Sequence, residues 1–305
     1  MTMKQATAHR ATRVRHTRSD AVFYGCAYAI ITLLTLAVLL PMAFVVAASF
    51  SSGAAVAAGR VWLWPVDFTL YNYQSVLKYK NVWIGYRNTL FYTGMGTLIN
   101  ICVTLLCAYP LSRKNLKGRG LLTGLFTFTM IFSGGMIPGY INIRNLGIMN
   151  TVWAMLLPGA MSVYNMIVTR TFLQTTIPDD LLEAAKLDGC NDTQFFFYVV
   201  LPLSKAIVAV IGIYYAVAHW NSYFNAFLYL TDQKLYPLQI FLRQILLQNN
   251  FDTDLMDEEM LAQIQNLQEV LKYSMIVIST APLMCIYPFV QKYFVKGVMI
   301  GSVKG

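Results

Sequence analysis

Six uncharged, mostly apolar segments run along the chain, and shorter stretches between them hold its acidic and basic residues. Each segment is long enough to cross a hydrocarbon core, which needs about 20 apolar residues in a helix. A charge at the centre of a spanning helix would cost about 2.5–3.5 kcal/mol, so uncharged segments fit membrane insertion. The pattern predicts an all-α membrane protein with six transmembrane helices, at Ala21–Phe50, Thr89–Leu111, Leu121–Ile143, Leu146–Thr169, Ala206–Thr231 and Tyr273–Gln291.

The connecting segments complete the predicted organisation. Residues 1–20 form a basic tail, residues 21–295 the transmembrane domain, and residues 296–305 a second tail. The 30 residues of the first segment exceed the core of about 7–15 in a cleaved signal, so we expect a retained helix. Within the domain, two long connections stand out, at residues 170–205 and 232–272. The motif Gly134-Gly135-Met136-Ile137-Pro138 is expected to interrupt the third span near its outer end.

The distribution of Lys and Arg predicts the orientation. With the N-terminus inside, 15 of the 23 basic residues fall on the cytoplasmic side, as the positive-inside rule requires. Both tails and residues 170–205 are then cytoplasmic, and residues 232–272 lie outside. The chain is 57% hydrophobic and 12% charged, with a net charge of +9. Because this excess lies on the inner segments, it indicates topology and membrane lipid contact, and disfavours a nucleic-acid partner.

Residues 170–205 contain the clearest signals for where helices begin and end. Asp180 is placed to cap a first helix, with Glu183 closing a capping box three residues later. Gly189 supplies a helix stop with permissive backbone angles. Asn191 and Gln194 form a second capping box. The second helix is expected to lie along the membrane face and to end where the chain turns into the fifth span, through Phe195, Phe196, Val199, Leu201 and Pro202.

This segment has a spacing that resembles the EAA loop of permease subunits of bacterial ABC importers, E-A-A-x3-G-x9-I-x-L-P. Here the motif runs from Glu183 to Pro202, and Val199 replaces the isoleucine. The resemblance implies a coupling helix that sits in a cleft of a partner ATPase and transmits its closure to the pore. It implies that Glu183 meets a basic residue of the ATPase. The other coupling residues would be Ala184, Ala185, Leu187, Gly189, Leu201 and Pro202.

In this interpretation Ala184 and Ala185 allow close approach of the ATPase, and Gly189 forms the bend. A rigid element of this kind couples a nucleotide-driven domain motion to alternating access. The alternative is an ordered cytoplasmic loop in which Glu183 acts only as a helix cap.

Further motifs resemble MalG-type permease subunits of carbohydrate-uptake ABC importers. They are Asn88-Thr89-Leu90 with Gly96-Thr97, Ala108–Arg113 at the inner end of the second span, and the C-terminal Tyr293–Gly297 and Val303–Gly305. The resemblance implies the type I importer permease fold in a bacterial cytoplasmic membrane. It also implies a C-terminal tail that reaches between the ATPases through Gly297, Gly301 and Lys304. A frayed terminus is the alternative.

The same resemblance implies the partners. They are a second, different permease subunit, an ATPase dimer that holds ATP and Mg²⁺, and an extracytoplasmic solute-binding protein. This chain would hold no cofactor and would form half of the path for an oligosaccharide. Similar chains serve longer or acidic oligosaccharides, although the acidic residues 252–259 do not themselves argue for an anionic substrate.

The end of the fifth predicted span holds the candidate substrate residues Trp220, Asn221, Tyr223 and Asn225. Aromatic faces stack on sugar rings, and amides bond to sugar hydroxyls. Helical spacing would place Asn221 and Asn225 on one face. The alternative is polar contacts between helices, and His219 is expected to be a hydrogen-bonded structural residue.

Two other function classes fit less well. The chain has no G-x-x-x-x-G-K-[ST] motif, so it is not expected to hydrolyse ATP itself. An ion-coupled secondary transporter would need carboxylates inside the membrane, yet all 14 Asp and Glu lie outside the predicted spans. A membrane enzyme would need a cluster of reactive side chains near one membrane face, and no metal site is indicated by the cysteines and histidines.

Overall fold

A computed structural model of the chain describes residues 18–247 and 271–288. Within these ranges the secondary structure is helical and no β-strand occurs, which confirms the predicted all-α class. Most of the basic N-terminal tail, the acidic residues 252–259 and the C-terminal tail with Gly297, Gly301 and Lys304 lie outside the described residues.

From residue 18 to residue 176 the structure has eight helices. They are α1 (Arg18–Ser49), α2 (Gly53–Ala57), α3 (Tyr71–Lys78), α4 (Lys80–Ser112), α5 (Arg119–Ile131), α6 (Met136–Asn145), α7 (Trp153–Leu156) and α8 (Val163–Thr176). Helix α4 therefore begins nine residues before the predicted second span, inside what the sequence indicates as an outer loop.

The second half contains the motif-bearing segment and the end of the domain. Its described elements are α9 (Asp179–Leu187), α10 (Asp192–Phe195), a wide π turn (Phe196–Val200), α11 (Leu201–Leu203), α12 (Lys205–Trp220), α13 (Phe224–Tyr229), a 3₁₀ turn (Gln233–Leu235), α14 (Leu238–Leu247) and a helix over residues 271–288, called α15.

Three of the six predicted spans are not continuous helices. Helices α5 and α6 meet at an angle of 113°, at the Gly-rich break that the sequence indicates. The fourth predicted span is interrupted between α7 and α8 at Pro158 and Gly159, and the fifth between α12 and α13 at residues 221–223. Within the described residues, α1 and α4 alone are long and apolar enough to cross a membrane unaided.

Helix α4 is the centre of the domain and packs against α8, α12 and α14. Gly96 allows the contact with α12, because a Cβ at this position would lie 2.4 Å from Nε2 of His219. Small residues commonly allow such close approach of membrane helices. Helix α1, in contrast, is exposed over most of its length and is held at its end, where Ala47 and Ala48 are buried. Its apolar surface suits contact with lipid or with another membrane helix.

Candidate functional site

The EAA segment (residues 170–205) starts in the last turns of α8, and the helix that carries the EAA residues is α9. It begins at Asp179, directly after the N-cap residue Pro178. The predicted capping box of Asp180 with Glu183 is wrong, because no side chain caps this helix. Asp179 and Asp180 lie instead in the first turn, where carboxylates are favoured by the helix dipole.

A Schellman motif ends α9 at Gly189, as the sequence predicts. The Cys190 N–H donates to the Ala185 carbonyl (2.9 Å), and the Gly189 N–H donates to the Lys186 carbonyl (3.0 Å). Gly189 has a φ of +83°, in the left-handed region where a Cβ is unfavourable. The glycine thus fixes a sharp turn between α9 and α10.

The second helix begins with the predicted capping box. The Gln194 N–H donates to Oδ1 of Asn191 (2.8 Å), and the Asn191 N–H donates to Oε1 of Gln194 (3.1 Å). Phe195 is fully buried in the core, so the prediction that it lies along the membrane face is wrong. The chain also continues helically through Leu201 and Pro202 and turns by 76° only at the next break, before α12.

Helix α9 has an inner and an outer side. On the inner side, Leu182 is buried and Ala185 packs against the core formed by α4, α8 and α12. On the outer side, Glu183 and Ala184 are exposed and Leu187 is 90% exposed. The paired alanines of the motif therefore have different surroundings: Ala185 allows α9 to approach its own domain, and Ala184 belongs to the free face. No ion pair is formed by Glu183 within the described residues.

Arg113, just after α4, ties the EAA segment to the centre of the domain. Its guanidinium donates to the carbonyls of Leu173 (3.2 Å) and Ile177 (3.0 Å), which end α8, and to Oδ1 of Asp179 (3.4 Å), which begins α9. The Arg113 side chain is only 8% exposed, so these bonds lie in a poorly solvated site. We call this arrangement the arginine clamp; it fixes three helix ends with one planar group.

A second arginine strengthens the same junction. Nε of Arg170, in α8, donates to the Leu111 carbonyl near the end of α4 (2.9 Å). Desolvation by burial, with a smaller contribution from the charge of Arg119, lowers the pKa of Arg170. Arginine nevertheless remains charged in proteins. The guanidinium groups of Arg113 and Arg170 therefore act as charged donors to backbone carbonyls near helix ends. Sequence reasoning missed both roles; an arginine close to the end of an apolar span was the available signal at each position.

Comparisons with known proteins agree with this geometry. Residues 7–300 match the family model described as the binding-protein-dependent transport system inner membrane component. The chain belongs to this family. Its members are permease subunits of ABC importers and are not enzymes, so the chain is a non-catalytic permease. The family gives no support to the ion-coupled alternative.

Two relatives from Bacillus subtilis (strain 168) cover nearly the whole permease. Protein LplC is 36% identical over 96% of this chain and 98% of its own length. The polygalacturonan/rhamnogalacturonan transport system permease protein YtcP is 39% identical over 94% of this chain and 98% of its own length.

A solved structure has the same fold. A chain of a bacterial ABC transporter involved in the import of the acidic polysaccharide alginate is 35% identical, with a TM-score of 0.83 over 92% of this permease and 99% of that chain. The predicted importer permease fold and resemblance are thereby confirmed.

Polar side chains form a seam between α4 and α12 in the permease. Nε2 of His219 lies 3.0 Å from Oδ1 of Asn100, whose Nδ2 donates to the Gly159 carbonyl (2.9 Å). One turn below, the Tyr215 hydroxyl bonds to Thr104 (2.7 Å) and accepts from the Ser162 N–H (3.0 Å). His219 is thus a hydrogen-bonded structural residue, as expected. The seam also supplies hydrogen-bond partners to the backbone in the break between α7 and α8.

The structure separates the four candidate substrate residues. Trp220 is buried and its Nε1 donates to the Ser279 carbonyl of α15 (3.0 Å), so it holds two helices together. Asn221 ends α12 by donating to the Val217 carbonyl (3.0 Å). The expectation that Asn221 and Asn225 share a helix face is wrong, because Asn221 follows the end of α12 and Asn225 belongs to the next helix, α13. Tyr223 and Asn225 remain partly exposed.

Proposed function

We propose that this permease forms half of the translocation path of an ATP-driven importer for oligosaccharides derived from acidic polysaccharides. Support comes from the names of the relatives: one transports polygalacturonan and rhamnogalacturonan, and the solved neighbour belongs to an importer of alginate. The substrate would be delivered by an extracytoplasmic solute-binding protein. A second, different permease subunit would complete the path.

The observation that carries the coupling role is the two-sided structure of α9. Its inner side is fixed to the domain by Leu182 and by the arginine clamp, whereas its outer side presents Glu183 and Leu187 to an external partner. An apolar side chain that is 90% exposed beside an unpaired carboxylate suits a protein interface with a basic residue. The partner we propose is an ATPase dimer, which would hold ATP and Mg²⁺.

The proposed orientation follows from this role. The EAA segment and both termini face the cytoplasm, in agreement with the charge distribution. Gly297, Gly301 and Lys304 in the C-terminal tail would extend toward the ATPases. At the opposite end of α12, Tyr223 and Asn225 would line the substrate path, whereas Trp220 and Asn221 stabilise the helix ends beside it.

The test is Glu183→Ala in the assembled importer, with Asp188→Ala as the matched control. Both residues are exposed carboxylates of the EAA segment, but Asp188 lies after the last turn of α9. Loss of a charge-assisted hydrogen bond costs about 1.5–3 kcal/mol. We therefore expect substrate-stimulated ATP hydrolysis to fall at least about tenfold in Glu183→Ala and to stay near the wild-type rate in Asp188→Ala. Unchanged stimulation in an assembled Glu183→Ala complex would contradict the coupling role.

A further inference from the structure

A cation–aromatic cluster joins α14 to the first part of α13. The Arg243 guanidinium lies over the ring of Tyr223 at 5.0 Å from its centroid and over the ring of Phe227 at 4.9 Å. Tyr223 is the N-cap residue of α13 and Phe227 lies four residues further on, within the helix, and both rings contact the same guanidinium. We call these three residues the guanidinium cluster. In this cluster the flat face of the guanidinium contacts the aromatic rings. These contacts do not involve the N–H groups at the edge of the guanidinium.

The charge of Arg243 is not neutralised by the rest of the described chain. No carboxylate lies within 4.0 Å of its guanidinium among residues 18–247 and 271–288, whereas Arg60 and Arg113 each pair with an aspartate. Arg243 is half-buried, and the two rings beneath it are 38% and 61% exposed. A partly desolvated cation of this kind favours an anionic ligand over water.

The cluster also lies at the end of the permease opposite to the EAA segment, where the substrate would enter. Helix α12 begins at Lys205, the last residue of the EAA segment, and has 16 residues, so it rises by about 24 Å before α13 begins. That distance approaches the thickness of a hydrocarbon core. The guanidinium cluster therefore lies near the membrane surface opposite to the proposed ATPase site.

We infer that the guanidinium cluster binds the carboxylate of a uronic acid residue as the oligosaccharide enters the path. Arginine can stack on aromatic rings with its face and still bind a carboxylate bidentately with its edge. Exposed parts of the Tyr223 and Phe227 rings can stack on a neighbouring sugar ring. The Asn225 amide, also on α13 and half-exposed, can bond to hydroxyl groups. This inference rests on the proposed function. It assigns the importer's preference for acidic sugars to Arg243.

The experiment measures uptake selectivity in proteoliposomes that hold the complete importer, with its binding protein and ATP. Two probes of equal length are compared: tetragalacturonate and its fully methyl-esterified, uncharged form. Bidentate recognition of a carboxylate depends on the guanidinium, so the ratio of the two uptake rates should fall about tenfold in Arg243→Gln. Arg243→Lys keeps the charge without the planar fork and should give an intermediate ratio.

The matched control is Arg144→Gln, which removes an exposed cation from the same predicted outer side. It should leave the ratio unchanged. An unchanged ratio in both Arg243 variants would overturn the subsite, as expected if Arg243 serves only to pack α14 on α13 or pairs with a carboxylate of the chain itself. If the wild-type importer takes up neither probe, the proposed function fails and the subsite fails with it. Uptake by wild type with an unaltered variant ratio refutes the subsite alone.

Discussion

Replacing Arg113 by alanine should disconnect the EAA segment from the rest of the domain. The substitution removes the donor to the buried Ile177 carbonyl (3.0 Å), which costs about 1–3 kcal/mol for an unsatisfied group. The Leu173 carbonyl keeps a bond from the Ile177 N–H (3.1 Å), so its loss adds little. The bond to Asp179 is long and its carboxylate is 27% exposed, which limits this contribution to about 1 kcal/mol. The junction should therefore weaken by about 2–4 kcal/mol.

We expect this variant to lose the coupling between substrate and ATP hydrolysis while the domain stays folded. About 2–4 kcal/mol changes the ratio of attached to detached α9 by about thirtyfold or more. The assay is ATP hydrolysis by the purified importer in proteoliposomes, with and without substrate-loaded binding protein. We expect Arg113→Ala to keep basal hydrolysis and to lose most of the substrate stimulation. Thermal unfolding of the same complex checks that the domain remains folded.

Lys114→Ala is the matched control for the clamp. Lys114 also lies near Asp179, at 3.5 Å, but its side chain is 82% exposed. A solvent-exposed ion pair contributes about 0–1 kcal/mol, so substrate should stimulate ATP hydrolysis in this variant as much as in wild type. Equal stimulation ratios in the two variants would refute the reasoning, because they would show that burial and carbonyl bonding of Arg113 do not matter.

Two further predictions follow from the same geometry. Gly189→Ala places a Cβ at a φ of +83° and should destabilise the turn after α9 by about 1 kcal/mol, seen as lower substrate stimulation with normal assembly; full stimulation would contradict it. Trp220→Phe removes the bond to the Ser279 carbonyl and should lower the free energy of unfolding by about 1–3 kcal/mol without changing which sugar is taken up. A changed sugar preference would return Trp220 to the substrate path.

The local signals of the EAA segment could be predicted from the sequence because they act over a few residues. The Asn191–Gln194 capping box and the Gly189 turn depend on spacing within one helix end, and both are found as predicted. The first capping box failed because Pro178 is the N-cap residue, so the helix starts two residues earlier than it would with Asp180 as the N-cap. Helix starts that compete at neighbouring positions are decided by packing, which the sequence does not show.

The interruptions of the predicted spans could not be placed in the same way. Hydropathy averages over a segment, and an apolar segment gives the same signal whether its helix is whole or broken. The break between α7 and α8 is stabilised at Gly159 by Asn100 and at Ser162 by Tyr215, through bonds between residues 53–59 positions apart. A broken helix in a membrane needs such partners for its backbone groups. Only the folded chain brings them together.

Helix α4 connects the two ends of the permease that carry proposed roles. Its 33 residues span about 50 Å as a continuous helix. Just beyond its C-terminal end, Arg113 holds the start of α9. Near its N-terminal end, Nδ2 of Asn88 donates to the Lys234 carbonyl (2.7 Å), and the Leu238 N–H at the start of α14 donates to Thr89 (2.9 Å). A tilt of α4 would therefore act on both α9 and α14. If an ATPase closes on α9 as proposed, the same tilt would reach the helix that carries Arg243, and so would couple the ATPase to the inferred carboxylate site.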